Sequence, residues 1–105
     1  PEMVDIPSSL LHPDNYVLQV KGNSMIDEQI HDKDYIVARK TNTARSGQIV
    51  VALINGEATL KYYIHGPEGV ELHPRNPDFQ IIKVDPKDDF HINGVLLYSF
   101  RNYLN

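Results

Sequence analysis

Apolar residues in this chain fall into short β-prone runs separated by Gly, Pro, Asn and Asp, the pattern of an all-β domain. Residues 16–20 predict a first strand, closed by Lys21-Gly22, and residues 34–39 a second. Residues 47–54 and 57–64 predict two arms of a hairpin joined by Asn55-Gly56, because both turn positions of that dipeptide favour positive φ. A turn over residues 65–69 leads into a strand at 70–73. A loop at 74–77 precedes a strand at 79–84, and residues 86–89 break the chain before a last β-rich run over 91–101. The only helix predicted is short, between Ser24 and Ile30, with Ser24 as its N-cap. Residues 1–15, with prolines at 1, 7 and 13, predict an extended arm. The expected domain occupies residues 16–105.

Composition narrows the field. At 105 residues with 41% hydrophobic content the chain is one domain, able to bury a core without staples. It has no cysteine, which excludes disulfides, thiol nucleophiles and thiolate metal sites and is compatible with a reducing cytoplasm. Ten basic residues stand against 14 acidic ones, for a net charge of −4, and the lysines and arginines are scattered singly. Such a segment has no basic face for DNA. The longest apolar run, residues 49–54, is far too short to span a bilayer, so no membrane association is expected. The five histidines lack paired spacing and predict no metal site, and no cofactor motif occurs. Asp27, Glu28, Asp32 and Asp34 read as a solvated acidic loop.

Two residues stand out chemically. Ser24 lies in Gly22-Asn23-Ser24-Met25, a small, turn-like run able to expose a hydroxyl and two backbone N–H groups. Lys61 interrupts the apolar run Ala58-Thr59-Leu60-Lys61-Tyr62. A serine hydroxyl becomes a nucleophile when a neighbour takes its proton, and a lysine serves once burial makes it neutral at working pH. An effective base has its pKa tuned from about 10.4 to roughly 7–8. Thr59 shares a strand face with Lys61, and its hydroxyl either orients the amine or is simply a β-former. Leu60 and Val51 are candidates for the apolar wall.

The order of these motifs resembles the LexA-like self-cleaving repressors. Val20-Lys21-Gly22-Asn23-Ser24-Met25-Ile26-Asp27 is similar to that family's nucleophile motif, and Asp32-Lys33-Asp34-Tyr35-Ile36-Val37 to its Asp-x-Asp strand entry. Gly47-Gln48-Ile49-Val50-Val51-Ala52 and Glu57-Ala58-Thr59-Leu60-Lys61 resemble the hairpin that carries its lysine. Val70-Glu71-Leu72-His73-Pro74-Arg75-Asn76-Pro77 resembles its Leu-x-Pro-x-Asn stretch, and the serine-to-lysine offset, 61 − 24 = 37, is also the family's. The resemblance implies a mainly β fold, a folded ribbon or partly open barrel of short antiparallel strands. It further implies Ser24 as nucleophile, Lys61 as general base, the N–H groups of Asn23 and Ser24 as oxyanion hole, and Ile82 beside the lysine.

The family's substrate is its own chain, cut at an Ala-Gly type bond N-terminal to the catalytic domain. No Ala-Gly pair occurs here, Pro1 is not an initiator methionine, and residues 1–15 read as a remnant of the linker after the cleavage region. The resemblance also implies a cytoplasmic repressor of the DNA-damage (SOS) response. Its activator would be a RecA–ssDNA filament, and it would reach operator DNA only through a helix-turn-helix absent from these residues. A homodimer is implied, paired through Val95, Leu96, Leu97, Tyr98, Ser99, Phe100 and Arg101. A long apolar strand near a terminus invites such pairing, and a buried interior strand is the competing reading. Alternatives to the repressor domain are a UmuD-like mutagenesis protein, a signal peptidase-like domain, and a non-catalytic β module.

Overall fold

A computed structural model describes residues 6–103. It contains seven strands: β1 (Asn15–Gln19), β2 (Tyr35–Arg39), β3 (Ile49–Ile54), β4 (Glu57–Gly66), β5 (Gly69–His73), β6 (Ile82–Lys83) and β7 (Phe90–Phe100). They form one sheet in the order β1-β2-β7-β3-β4-β5-β6, every pairing antiparallel. The sheet does not close, so the mainly β expectation holds in its open form. Among the described residues no helix is long and apolar enough to cross a membrane.

The predicted hairpin is present where expected. Asn55 and Gly56 take φ of 51° and 84°, the doubly positive turn that matches the strands' twist. Lys61 then pairs opposite Val50, the fifth of the six β3–β4 pairs counted from the turn. Because residues alternate along a strand, β3 serves two cores at once. Val51 joins Met25, Ile30, Ile36 and Ala38 on one side, whereas Val50 and Ala52 join Tyr63, Leu72 and Ile92 on the other.

Four local expectations are corrected. The helix over 24–30 is a single 3-10 turn, Ile26–Glu28, with Met25 at its cap position and no side-chain cap bond. Gln29, at φ 63°, ends it at once, and burial of Met25 and Ile30 anchors the loop on either side. The strand over 79–84 shrinks to Ile82–Lys83, because Asn76 folds the chain into a turn. Its side-chain oxygen accepts the Asp78 N–H and its carbonyl accepts the Phe79 N–H. The turn at 65–69 tightens, since β4 and β5 stay paired to Gly66 opposite Gly69. The arm is not simply extended: residues 8–10 form a 3-10 turn whose Leu10 carbonyl accepts the Asn15 amide; its residues 1–5 lie outside the described part.

β7 is the strand that shapes the sheet. It pairs with β2 through residues 95–100 and with β3 through 90–95, so it joins the two halves of the sheet and only Val95 is paired on both sides. Both pairings carry a register shift, leaving Leu97 extra opposite β2 and Asn93 extra opposite β3. Such bulges bend a strand and sharpen its twist. Beside the second bulge, the Tyr16 hydroxyl donates to the Asn93 carbonyl at 2.9 Å, directly over Gly94. A Cβ at Gly94 would meet that hydroxyl and lie 2.9 Å from the Arg39 carbonyl, a backbone atom that cannot swing aside. Gly94→Ala should therefore destabilise the domain by about 1–3 kcal/mol, read as a lower midpoint in urea unfolding. An unchanged midpoint would mean that the bulge is soft.

Candidate active site

The loop from Gly22 to Met25 is short and polar, and it lies in a frame of hydrogen bonds supplied from both sides. Gly22, at φ 85°, turns the chain after β1, and its N–H donates to Asp32 Oδ1 at 2.6 Å. The Asp32 N–H in turn donates to Asn23 Oδ1 at 2.9 Å. From the other side, the Arg75 N–H donates to the Ser24 carbonyl and the Asp27 N–H to the Arg75 carbonyl, both at 2.8 Å. The Asn76 side-chain amide donates to the Asn23 carbonyl at 2.9 Å.

Within this frame Ser24 meets Lys61. Nζ lies 2.9 Å from Ser24 Oγ and 2.5 Å from Thr59 Oγ1. Only 7% of Lys61 is exposed, and among the described residues it forms no ion pair. Burial therefore pushes the amine below the usual lysine range, with nothing opposing it. A neutral amine so placed keeps one N–H for Thr59 and offers its lone pair to the serine O–H. Oxygen as nucleophile, nitrogen as base and a hydroxyl orienting the base are the parts of acyl transfer.

A cleft of about 290 Å³ opens beside the pair, walled by Leu18, Val20, Ile36, Val51 and Leu60. Two strand edges border it. β1 is the terminal strand of the sheet, and β4 pairs with β5 only from Tyr62 onward, so neither residues 15–19 nor 57–61 have a partner on their outer edge among the described residues.

Of the residues singled out in the sequence, Ser24, Asn23, Thr59, Leu60, Val51 and Lys61 come together. Ile82 does not: it packs against the second core, with Val50, Ala52 and Leu72. Met25 and Ile36 line the cleft in its stead. The strand from Val95 to Phe100 does not line the cleft and pairs with β2 along one edge. Its other edge over residues 96–100 has no strand partner among the described residues.

The acidic loop needs correction. Asp34 is 3% exposed, and both its oxygens meet the Arg101 guanidinium, at 2.6 and 2.9 Å. That bond to Arg101 is the main reason its carboxyl sits below the usual range. Glu28 accepts the Tyr62 hydroxyl at 2.8 Å and lies 3.5 Å from Arg75. Asp32 and Asn76 carry no catalytic signature in sequence. Their signal is weaker: an Asx residue beside a glycine turn, and the asparagine of the Leu-x-Pro-x-Asn stretch. Among the described residues no group of histidines and carboxylates could hold a metal.

Comparison with known proteins places the chain in a family. Residues 1–97 match the Peptidase S24-like family. The chain is 42% identical over 104 residues to the LexA repressor of Syntrophotalea carbinolica, covering 98% of this chain and 52% of that protein. It is 43% identical over 105 residues to that of Pseudothermotoga lettingae (97% and 52%). With that of Stenotrophomonas maltophilia the figure is 49% over 81 residues (77% and 38%). The chain thus spans about half the length, or less, of these curated relatives.

Burial of Lys61 has a consequence for stability. Its folded pKa lies below its unfolded one, so between the two the unfolded chain binds more protons and stability rises with pH. Lys61→Met, apolar and of similar length, should outlast the parent at pH 7 by about 1 kcal/mol, or ~4–8 °C in Tm. The advantage should shrink as pH approaches the unfolded amine's value of about 10.4. A difference in Tm that stays constant from pH 6 to 11 would show instead a solvated ammonium.

Proposed function

The chain belongs to the Peptidase S24-like family, and from that premise we propose that it is the self-cleaving and dimerisation domain of a LexA-like repressor of the DNA-damage response. Ser24 gives its proton to neutral Lys61 as Oγ attacks the scissile carbonyl carbon. The tetrahedral oxyanion is received by the backbone N–H groups of Asn23 and Ser24, the usual largest electrostatic aid to acyl transfer. The intermediate collapses, the C–N bond breaks, and Lys61 hands its proton to the departing amine. Water then attacks the acyl ester with Lys61 again as base, restoring Ser24. Thr59 Oγ1 orients the amine throughout. No metal or cofactor takes part.

The observation that carries this reading is the 2.9 Å approach of a buried, ion-pair-free Nζ to Ser24 Oγ. The cleft supports the substrate class. An extended peptide segment can pair with the open edge of β1 or β4 by strand addition, which holds it by its main chain. The segment cut is the repressor's own, of Ala-Gly type, and a RecA–ssDNA filament promotes the cut in the cytoplasm. With a net charge of −4, these residues leave operator DNA to a helix-turn-helix beyond them. Two copies pair through the open edge of β7 over residues 96–100, where Tyr98 is 53% exposed.

An extended peptide carrying an Ala-Gly bond should be cut in trans. The rate should rise about tenfold per pH unit and level off once Lys61 is neutral, because its folded pKa is depressed and the deprotonated amine is the active form. Ser24→Ala and Lys61→Ala should each slow the reaction at least about 10³-fold; cutting that survives in either discards the peptidase reading. The regulatory part has its own measurements. A RecA–ssDNA filament should accelerate self-cleavage of a chain extended to its relatives' length, and Tyr98→Asp should turn a dimer into a monomer in sedimentation. Absence of either effect removes that partner.

A further inference from the structure

The Leu72-x-Pro74-x-Asn76 run takes no step in the reaction just described, yet it delivers a side chain to the nucleophile loop. The peptide unit joining Asn23 to Ser24 contains two relevant groups: the carbonyl of Asn23 and the N–H of Ser24. In a trans peptide they point in opposite directions from one rigid plane. Whatever holds the carbonyl therefore aims the N–H.

Two donors hold that carbonyl: the Asn76 side-chain amide at 2.9 Å and the Ile26 N–H at 3.2 Å. The Asn76 amide is itself fixed, because its oxygen accepts the Asp78 N–H at 2.9 Å. Its backbone is fixed as well, next to the pair of bonds linking Arg75 to Ser24 and Asp27. Asn76 is half-buried in this arrangement. Those backbone bonds already join the two loops, so the side chain is surplus as a tether. Its added effect falls on the orientation and polarity of one peptide. A hydrogen bond received at a carbonyl strengthens the N–H across the same amide as a donor.

We propose that Asn76 is a positioning residue: by donating to the Asn23 carbonyl it aims and polarises the Ser24 N–H towards the oxyanion. The inference rests on the reading of Ser24 as nucleophile with its own N–H in the oxyanion hole. Asn76 touches neither substrate nor the reacting atoms, so its effect belongs to the transition state rather than to substrate binding.

Asn76→Asp keeps the oxygen that accepts the Asp78 N–H, but it replaces the donating NH2 with a second oxygen and adds a charge. Asn76→Ala removes both bonds without adding charge. Each is assayed on trans cleavage of the Ala-Gly peptide at the alkaline plateau, where Lys61 is neutral in every variant, beside Ser24→Ala. The expected result is a kcat lowered about tenfold or more in both, with KM within about twofold of the parent. The pH midpoint of the Asn76→Ala profile should be unchanged; a midpoint raised by water reaching Lys61 would mark a merely structural defect and overturn the proposal. So would an unaltered kcat, a change confined to KM, or loss of the folded state in both variants by thermal melting. If Ser24→Ala cuts as fast as the parent, the underlying peptidase reading fails instead, whatever Asn76 does.

Discussion

The contact between Lys61 Nζ and Ser24 Oγ, made inside the protein and with no ion pair to the amine among the described residues, is the constraint to which the rest of this structure answers. A buried lysine is an unfavourable thing to fold, and a domain of about 100 residues has only some 5–15 kcal/mol of stability to spend on it. Three arrangements make it tolerable. The lysine sits on β4, opposite Val50 in a fully formed ladder. One of its N–H groups is taken by Thr59 two residues earlier. Its burial lowers the amine's pKa and so favours the neutral form, which needs no partner charge.

The serine half is held differently. β4 is a ten-residue strand locked by regular pairing, whereas the loop of Ser24 has almost no secondary structure of its own. It is kept in place by neighbours that come from distant parts of the chain: Asp32 through Gly22 and Asn23, and residues 75–76 through Ser24, Asn23 and Asp27. The loop ending in Asp34 is pinned in turn by Arg101, just past β7. A strand that spans the sheet thus also steadies the segment that frames Ser24. Placement of a hydroxyl to within a fraction of an ångström depends on such supporting bonds as much as on the residue itself.

Much of this was legible in the residues. The hairpin could be read because Asn55-Gly56 satisfies its turn by local sterics alone, and the lysine because a charged residue inside an apolar run is a local anomaly. Ser24 next to a glycine turn was equally plain, and Thr59 followed from strand alternation. What was not legible depends on contacts between remote segments. Asp34 looked like one more acid in a solvated cluster, and only the fold brings Arg101, 67 positions away, onto both its oxygens. Residues 79–84 have strand-like composition, yet Asn76 diverts the backbone into a turn that leaves Phe79 and Ile81 exposed. Ser24 could cap a helix by its residue type, but its hydroxyl lies against Lys61 and the helix contracts to one 3-10 turn.

Most of the acids that follow Ser24 have partners other than the Lys61 amine among the described residues. A carboxylate against Nζ would favour the ammonium and remove the base. Four acids follow Ser24 within ten residues, and three are committed elsewhere: Glu28 to Tyr62 and Arg75, Asp32 to the Gly22 N–H, and Asp34 to Arg101. The fourth, Asp27, is exposed. Arg75 stacks over the Tyr62 ring at 3.9 Å while it faces Glu28, so cation, ring and carboxylate form a closed set. Burial is what lowers the Lys61 pKa, and among the described residues no carboxylate opposes it with an ion pair.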